Sequence, residues 1–125
     1  MVRHPIAQQE REDRVEMRNL NTRVDFDSLL ENSEERPQIL LKHSTRCPIS
    51  RAAFIECEHF AKTDDRADIW VLLVVEDKEL AQDIARETGI EHQSPQAMVF
   101  KNGRPVWHGS HHAITVEQLG KEISD

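Results

Sequence analysis

The residues best suited to chemistry in this chain gather around one sulfur. Cys47 is followed at once by Pro48 and, three positions on, by Ser50, within the run Lys42-His43-Ser44-Thr45-Arg46-Cys47-Pro48-Ile49-Ser50-Arg51. A thiolate, not a thiol, attacks a disulfide, so a working cysteine needs its charged form favoured and some exposure. The start of a helix favours negative charge through its unpaired N–H groups and the positive end of its dipole. Pro48 suits the first helical position, where its missing N–H costs nothing. Arg46 and Arg51 add positive charge, Arg51 one turn along from Cys47. A lone cysteine is more often a small core hydrophobe than a nucleophile; the strand-loop-Cys-Pro-helix setting argues for the nucleophile.

Ser50 stands where a dithiol protein would carry its second cysteine. Its hydroxyl can donate a hydrogen bond to a thiolate but cannot close a disulfide, so the expected cycle is monothiol and depends on an external thiol; Ser50 as a plain first-turn residue is the alternative. Cys57 is the only other cysteine. Ten residues of helix at 1.5 Å each would separate it from Cys47 by about 15 Å, far beyond disulfide reach. It shares a face with Ile49, Ala53 and Phe60, which reads as buried and inert. Ser94-Pro95 opens a strand; such a proline is often only an edge or turn residue, but with a cis bond it would free the Ser94 backbone to pair with an extended substrate.

Positioning these residues requires a definite set of elements. Phe26, Leu29 and Leu30 at helical spacing predict a short helix capped by Asp25. Residues 37–43 form a buried strand, and a helix runs from 48 to about 62. The apolar, β-branched stretch 69–75 is a central strand, and 78–88 a helix closed by Gly89. Strands 97–101 and 104–108 flank Asn102-Gly103, a strong hairpin signal. Residues 115–124 form a last helix with Thr115 as cap and Gln118 as its capping-box partner. The order predicts an α/β, thioredoxin-like fold with a central mixed four-stranded sheet flanked by helices, over residues 19–125. Residues 1–18, rich in Glu, Arg and Gln, form a polar extension, helical or disordered.

Three segments in order, Lys42 to Ser50, Ser94-Pro95-Gln96 and Val106-Trp107-His108-Gly109-Ser110-His111, followed by Ile114-Thr115, closely resemble the monothiol bacilliredoxin family, thioredoxin-like proteins of the bacillithiol system. The resemblance implies removal of bacillithiol from S-bacillithiolated proteins, with Cys47 as attacking thiol and Pro95 as the cis-proline. Thr45, Arg46, Pro48, Ser50, Arg51, Ser94 and Pro95 would bind substrate or stabilise the thiolate. No cofactor is bound; bacillithiol or another low-molecular-weight thiol is the co-substrate, and S-thiolated client proteins are the partners. Lys42, Arg46 and Arg51 are candidates to hold the carboxylates of an anionic thiol such as bacillithiol, a malate glycoside. The extension before residue 19 and Cys57 have no counterpart in the family pattern.

Bulk properties narrow the alternatives. A formal charge of -7 over 125 residues argues against a general nucleic-acid binder and against an anionic membrane surface. The N-terminal stretch lacks the apolar region of a secretory signal, so a soluble cytoplasmic protein is expected, with thiols normally reduced. Seven histidines include the cluster His108, His111 and His112. That cluster lacks a carboxylate or cysteine at ligand spacing, and a structural role beside Trp107 is expected instead of a metal site. A non-catalytic thioredoxin-like redox sensor or stress-linked adaptor is the second reading. The oligomeric state is left open.

Overall fold

The computed structural model describes residues 17–124, and the expectation of a helical or disordered extension falls, for residues 1–16, outside the described residues. Five strands form one mixed sheet: β1 (Arg18–Asn19), β2 (Gln38–His43), β3 (Asp68–Leu73), β4 (Gln96–Lys101) and β5 (Arg104–Ser110), in the spatial order β1-β3-β2-β4-β5. β1 and β2 run parallel to β3, whereas β4 is antiparallel to both β2 and β5. The helices are α1 (Arg23–Asn32), α2 (Pro48–Thr63), α3 (Lys78–Thr88) and α4 (Val116–Ile123), with a 3-10 turn at His111–Ala113. The fold is the expected thioredoxin-like α/β arrangement, corrected from four strands to five. The extra strand is two residues long and polar, too short to carry a period-2 signal; its pairing of Arg18 with Trp70 and Asn19 with Val71 defines it.

The central strands are apolar on both faces because helices cover both faces. On one side Ile39, Leu41, Ile69 and Val99 pack against Ala53, Cys57 and Phe60 of α2 and Leu119 of α4. On the other, Leu40, Trp70, Leu72 and Phe100 meet Phe26 and Leu29 of α1 and Leu80 and Ile84 of α3. At the end of the sheet away from Cys47, the Trp70 indole N–H donates to Gln38 Oε1 at 2.8 Å and Gln38 Nε2 donates to Asp68 Oδ2 at 2.8 Å. These bonds satisfy buried polar groups that would otherwise be costly.

Local chemistry sets the ends of the elements. Gly89 closes α3 in the left-handed region at φ 74°, a conformation that favours glycine. Asn102 at φ 53° and Gly103 at φ 80° make the hairpin turn. It docks on the end of α1, with Asn102 N–H donating to Ser33 O and Gly103 N–H to Ser33 Oγ, both at 2.8 Å. Two expected caps change. α1 is capped by Thr22, and Asp25 is instead its reciprocal partner, closing a capping box. At α4, Thr115 Oγ1 accepts from Gln118 N–H as expected, but the Gln118 side chain turns to Glu122. β3 stops at Leu73, and Val75 of the expected strand is exposed in the following turn.

Candidate functional site

Cys47 is the N-cap of α2 in extended backbone, with Pro48 as the first helical residue. The Cys47 N–H donates to Ser44 O at 3.4 Å, and its carbonyl accepts from Arg51 N–H at 2.9 Å. Its sulfur makes no capping hydrogen bond and is half-buried. The sulfur therefore sits at the positive end of a 16-residue helix with its lone pairs free. Thr45, Arg46, Pro48 and Arg51 are exposed around it. Neither Arg46 nor Arg51 forms an ion pair with any described residue, so two exposed cations flank the sulfur.

Ser50 is fully buried. Its Oγ lies 2.7 Å from His43 Nδ1 and accepts from Ser44 N–H at 2.9 Å. Among the described residues its hydrogen-bond partners are these two and not Cys47. His43 ends β2, 6% exposed, and stacks on Phe54 of α2 with ring centroids 4.8 Å apart at 27°. Burial holds its pKa below the usual imidazole value, against the opposing pull of Ser50 and Glu76. Sequence reading passed over His43 because a histidine at a strand end reads as an ordinary core residue. Its link to Ser50 spans strand, loop and helix, and no helical or strand spacing reports that.

The second half of the site approaches along β4. The Ser94–Pro95 bond is cis, and Gln96 is in register with Lys42 on β2. This pairing brings Pro95 to the end of the sheet from which the 44–47 loop leaves. Pro95 O accepts from His111 N–H at 3.2 Å, so the end of the hairpin also braces this corner. Ser94 Oγ is buried without a hydrogen-bond partner. Gln96 Nε2 donates to Glu91 O at 2.9 Å, holding the loop before the proline.

Lys42 differs from expectation. It is 0% exposed and points away from solvent beneath α3, so it cannot hold a ligand carboxylate. Its Nζ donates to Ala81 O at 3.3 Å and lies 3.2 Å from His92 Nδ1. Burial without an acidic partner pushes its pKa down to about 8.

Beside Cys47 an open groove of about 790 Å³ runs along α2. His43, Thr45, Arg51 and Phe54 line one end, and Val71 and Leu73 form part of its wall. Cys57 lies at 0% exposure in the core, where burial pushes its thiol up to about 12. Trp107 packs against the core beside α2, as expected of the segment around the histidine cluster. That segment contacts its neighbours through the main chain, the His111 carbonyl accepting from Ile114 N–H. Among the described residues no three His, Cys, Asp or Glu side chains converge as a metal site would need. No helix among them is long and apolar enough to cross a membrane.

The arrangement leaves one sulfur accessible at a helix start, with exposed cations beside it. Residues 18–119 match the family described as monothiol bacilliredoxin BrxC. Among solved structures, the chain is similar to one described provisionally as an oxidoreductase with a thioredoxin fold, at 33% identity and TM-score 0.75, covering 84% of this chain and 91% of the other. It is similar in fold to the thioredoxin of Fasciola hepatica, at 20% identity and TM-score 0.69, covering 86% and 97%. The thioredoxin of Trypanosoma brucei brucei matches at 13% identity and TM-score 0.71, covering 90% and 95%.

Proposed function

The chain belongs to the monothiol bacilliredoxin family, and from that premise we propose that it removes bacillithiol, or a related low-molecular-weight thiol, from mixed disulfides on client proteins. The observation that carries this reading is the half-buried, unbonded Cys47 sulfur at the start of α2, with the only other cysteine sealed in the core. The Cys47 thiolate attacks the bacillithiol sulfur of the mixed disulfide. A new S–S bond forms, the old one breaks, and the client sulfur leaves with the electron pair and takes up a proton. A second bacillithiol, as thiolate, then attacks the adduct, forming the symmetric bacillithiol disulfide and returning Cys47 as thiolate. The client is reduced, one free bacillithiol is oxidised as it joins the transferred one in a disulfide, and the protein is unchanged.

Thr45, Arg46 and Arg51 border the sulfur and would receive the anionic part of the thiol; Ser94 and Pro95 would receive the peptide-like part. On this reading the reaction takes place in the cytoplasm, with thiolated client proteins as partners. The test is release of bacillithiol from a modified client, followed by mass. Cys47→Ser is expected to abolish release, and Cys57→Ala to leave it intact; an active Cys47→Ser protein would overturn the reading.

A further inference from the structure

We propose that Ser50 is a positioning residue: acting through the Ser44 main chain, and with its hydroxyl held by His43, it fixes the loop that presents the Cys47 sulfur. This deepens the proposed reaction and rests on Cys47 as the attacking sulfur. The loop between β2 and α2 has few bonds of its own, since the Thr45 and Arg46 N–H groups bond no described residue. Ser44, by contrast, is tied at both of its main-chain groups. Its N–H donates to Ser50 Oγ at 2.9 Å, and its carbonyl accepts from Cys47 N–H at 3.4 Å. The place of Cys47 at the end of its helix is thus held through Ser44 by Ser50.

The hydroxyl is committed to this task. A serine hydroxyl has one hydrogen and two lone pairs, and Ser50 has no solvent with which to satisfy them. Ser44 N–H fills one lone pair, and His43 Nδ1 lies 2.7 Å away. A buried hydroxyl hydrogen without an acceptor would be costly, so it goes to Nδ1, and the ring carries its own hydrogen on Nε2. Among the described residues no hydrogen bond joins Ser50 to Cys47. The serine therefore acts on the sulfur only by where it holds the chain.

His43 gives that hydroxyl a fixed acceptor. It ends β2, its carbonyl accepts from Val74 N–H at 3.0 Å, and its ring stacks on Phe54. Strand, helix and the turn after β3 all hold it in place. At the sulfur the consequence is electrostatic. The start of α2 favours a thiolate only while Cys47 keeps its cap position, and a loop released from Ser50 would let the sulfur drift from it. A serine here is more than the lack of a second cysteine, because sulfur is a weak acceptor and would hold the Ser44 N–H poorly.

The test uses the full chain. Amide hydrogen exchange followed by NMR in the unaltered protein should show Ser44 protected about tenfold over Thr45 and Arg46, the worth of one hydrogen bond; this arm needs no variant. Ser50→Ala should slow alkylation of Cys47 by iodoacetamide at neutral pH by about three- to tenfold, the worth of a helix start to a charge. The midpoint of its pH profile should rise while circular dichroism stays the same. His43→Asn, whose Oδ1 can stand where Nδ1 was, should retain most of the reactivity that His43→Leu loses. Arg46 and Arg51 beside the sulfur, and Glu76, which acts on His43, are the same in every protein. A Ser44 amide that exchanges as fast as that of Thr45 would overturn the proposal. So would a Ser50→Ala protein that melts lower yet keeps the original alkylation profile, or His43→Asn and His43→Leu proteins that react alike. Alkylation involves neither bacillithiol nor a client, so failure here is distinct from failure of the release assay.

Discussion

Lys42 Nζ lies 3.2 Å from His92 Nδ1, joining the strand that leads to Cys47 to the loop that leads to cis-Pro95. The same ammonium bonds Ala81 O of α3. A lysine is almost never fully buried unless paired, and here no carboxylate among the described residues pairs it. The contact spans the two halves of the site, which indicates a tether whose cost is borne by overall stability.

Replacing Lys42 by Met should therefore stabilise the protein and slow it. The free amine falls from 10.5 to about 8 on folding, so the unfolded chain holds a proton between those values that the folded chain has lost. Stability should rise with pH across that window and be flat below it, the full penalty amounting to roughly 3 kcal/mol. In urea denaturation at pH 7, Lys42→Met should gain about 1 to 3 kcal/mol, and its slope between pH 8 and 10.5 should vanish. Release of thiol should fall several-fold as the 91–95 loop loosens. Equal slopes in the two proteins would refute the assignment.

The two sulfurs should separate cleanly by reactivity. With Cys57 pushed up to about 12 by burial, iodoacetamide at pH 6 to 9 should place one label, on Cys47, and a second only in denaturant. Peptide mapping decides it. Cys57→Ala should cost about 1 to 2 kcal/mol through lost core packing and leave the release rate unaltered.

Arg51 should matter for charge and little for stability. It is exposed at the mouth of the groove and forms no ion pair with a described residue, so Arg51→Ala should leave the melting temperature unchanged. The rate with an anionic thiol should drop about three- to tenfold, the worth of a surface ion pair or slightly more. With an uncharged thiol such as 2-mercaptoethanol the two proteins should match. Added salt should shrink the difference, because exposed charges are screened.

Gly109→Ala tests the hairpin brace. A Cβ there would lie 2.6 Å from Trp107 Cζ2 and 2.7 Å from Cη2, so the ring must leave its place against the core. A loss of about 1 to 3 kcal/mol is expected, with a changed near-ultraviolet dichroism. Since β5 leads to the His111 N–H that holds Pro95 O, thiol release should weaken as well.

What could be read from sequence was what local chemistry enforces. Pro48 starts a helix, Gly89 ends one and Asn102-Gly103 turns a hairpin because each needs a particular φ or lacks an N–H, and those demands are visible in one residue. Two-sided burial made the central strands apolar runs, and the Cys-Pro step placed the sulfur. Pairing between distant segments was hidden. β1 exists because Arg18 and Asn19 meet Trp70 and Val71, not because of its own pattern. Lys42 looked like a surface cation, since nothing local reveals an amine aimed beneath α3. His43 finds Ser50 only after the chain has turned from strand into helix.

The burial of Cys57 has a consequence for how an oxidised molecule behaves. With no inner sulfur within reach of Cys47, this protein cannot store an oxidising equivalent as an internal disulfide; any disulfide it forms is a bond to another molecule. The fraction of chains carrying an adduct is then set by the ratio of free thiol to disulfide around them. Once thiol runs short, the proposed cycle would leave adducts on Cys47 with the core intact, and the same molecules would resume turnover, without refolding, when thiol returns.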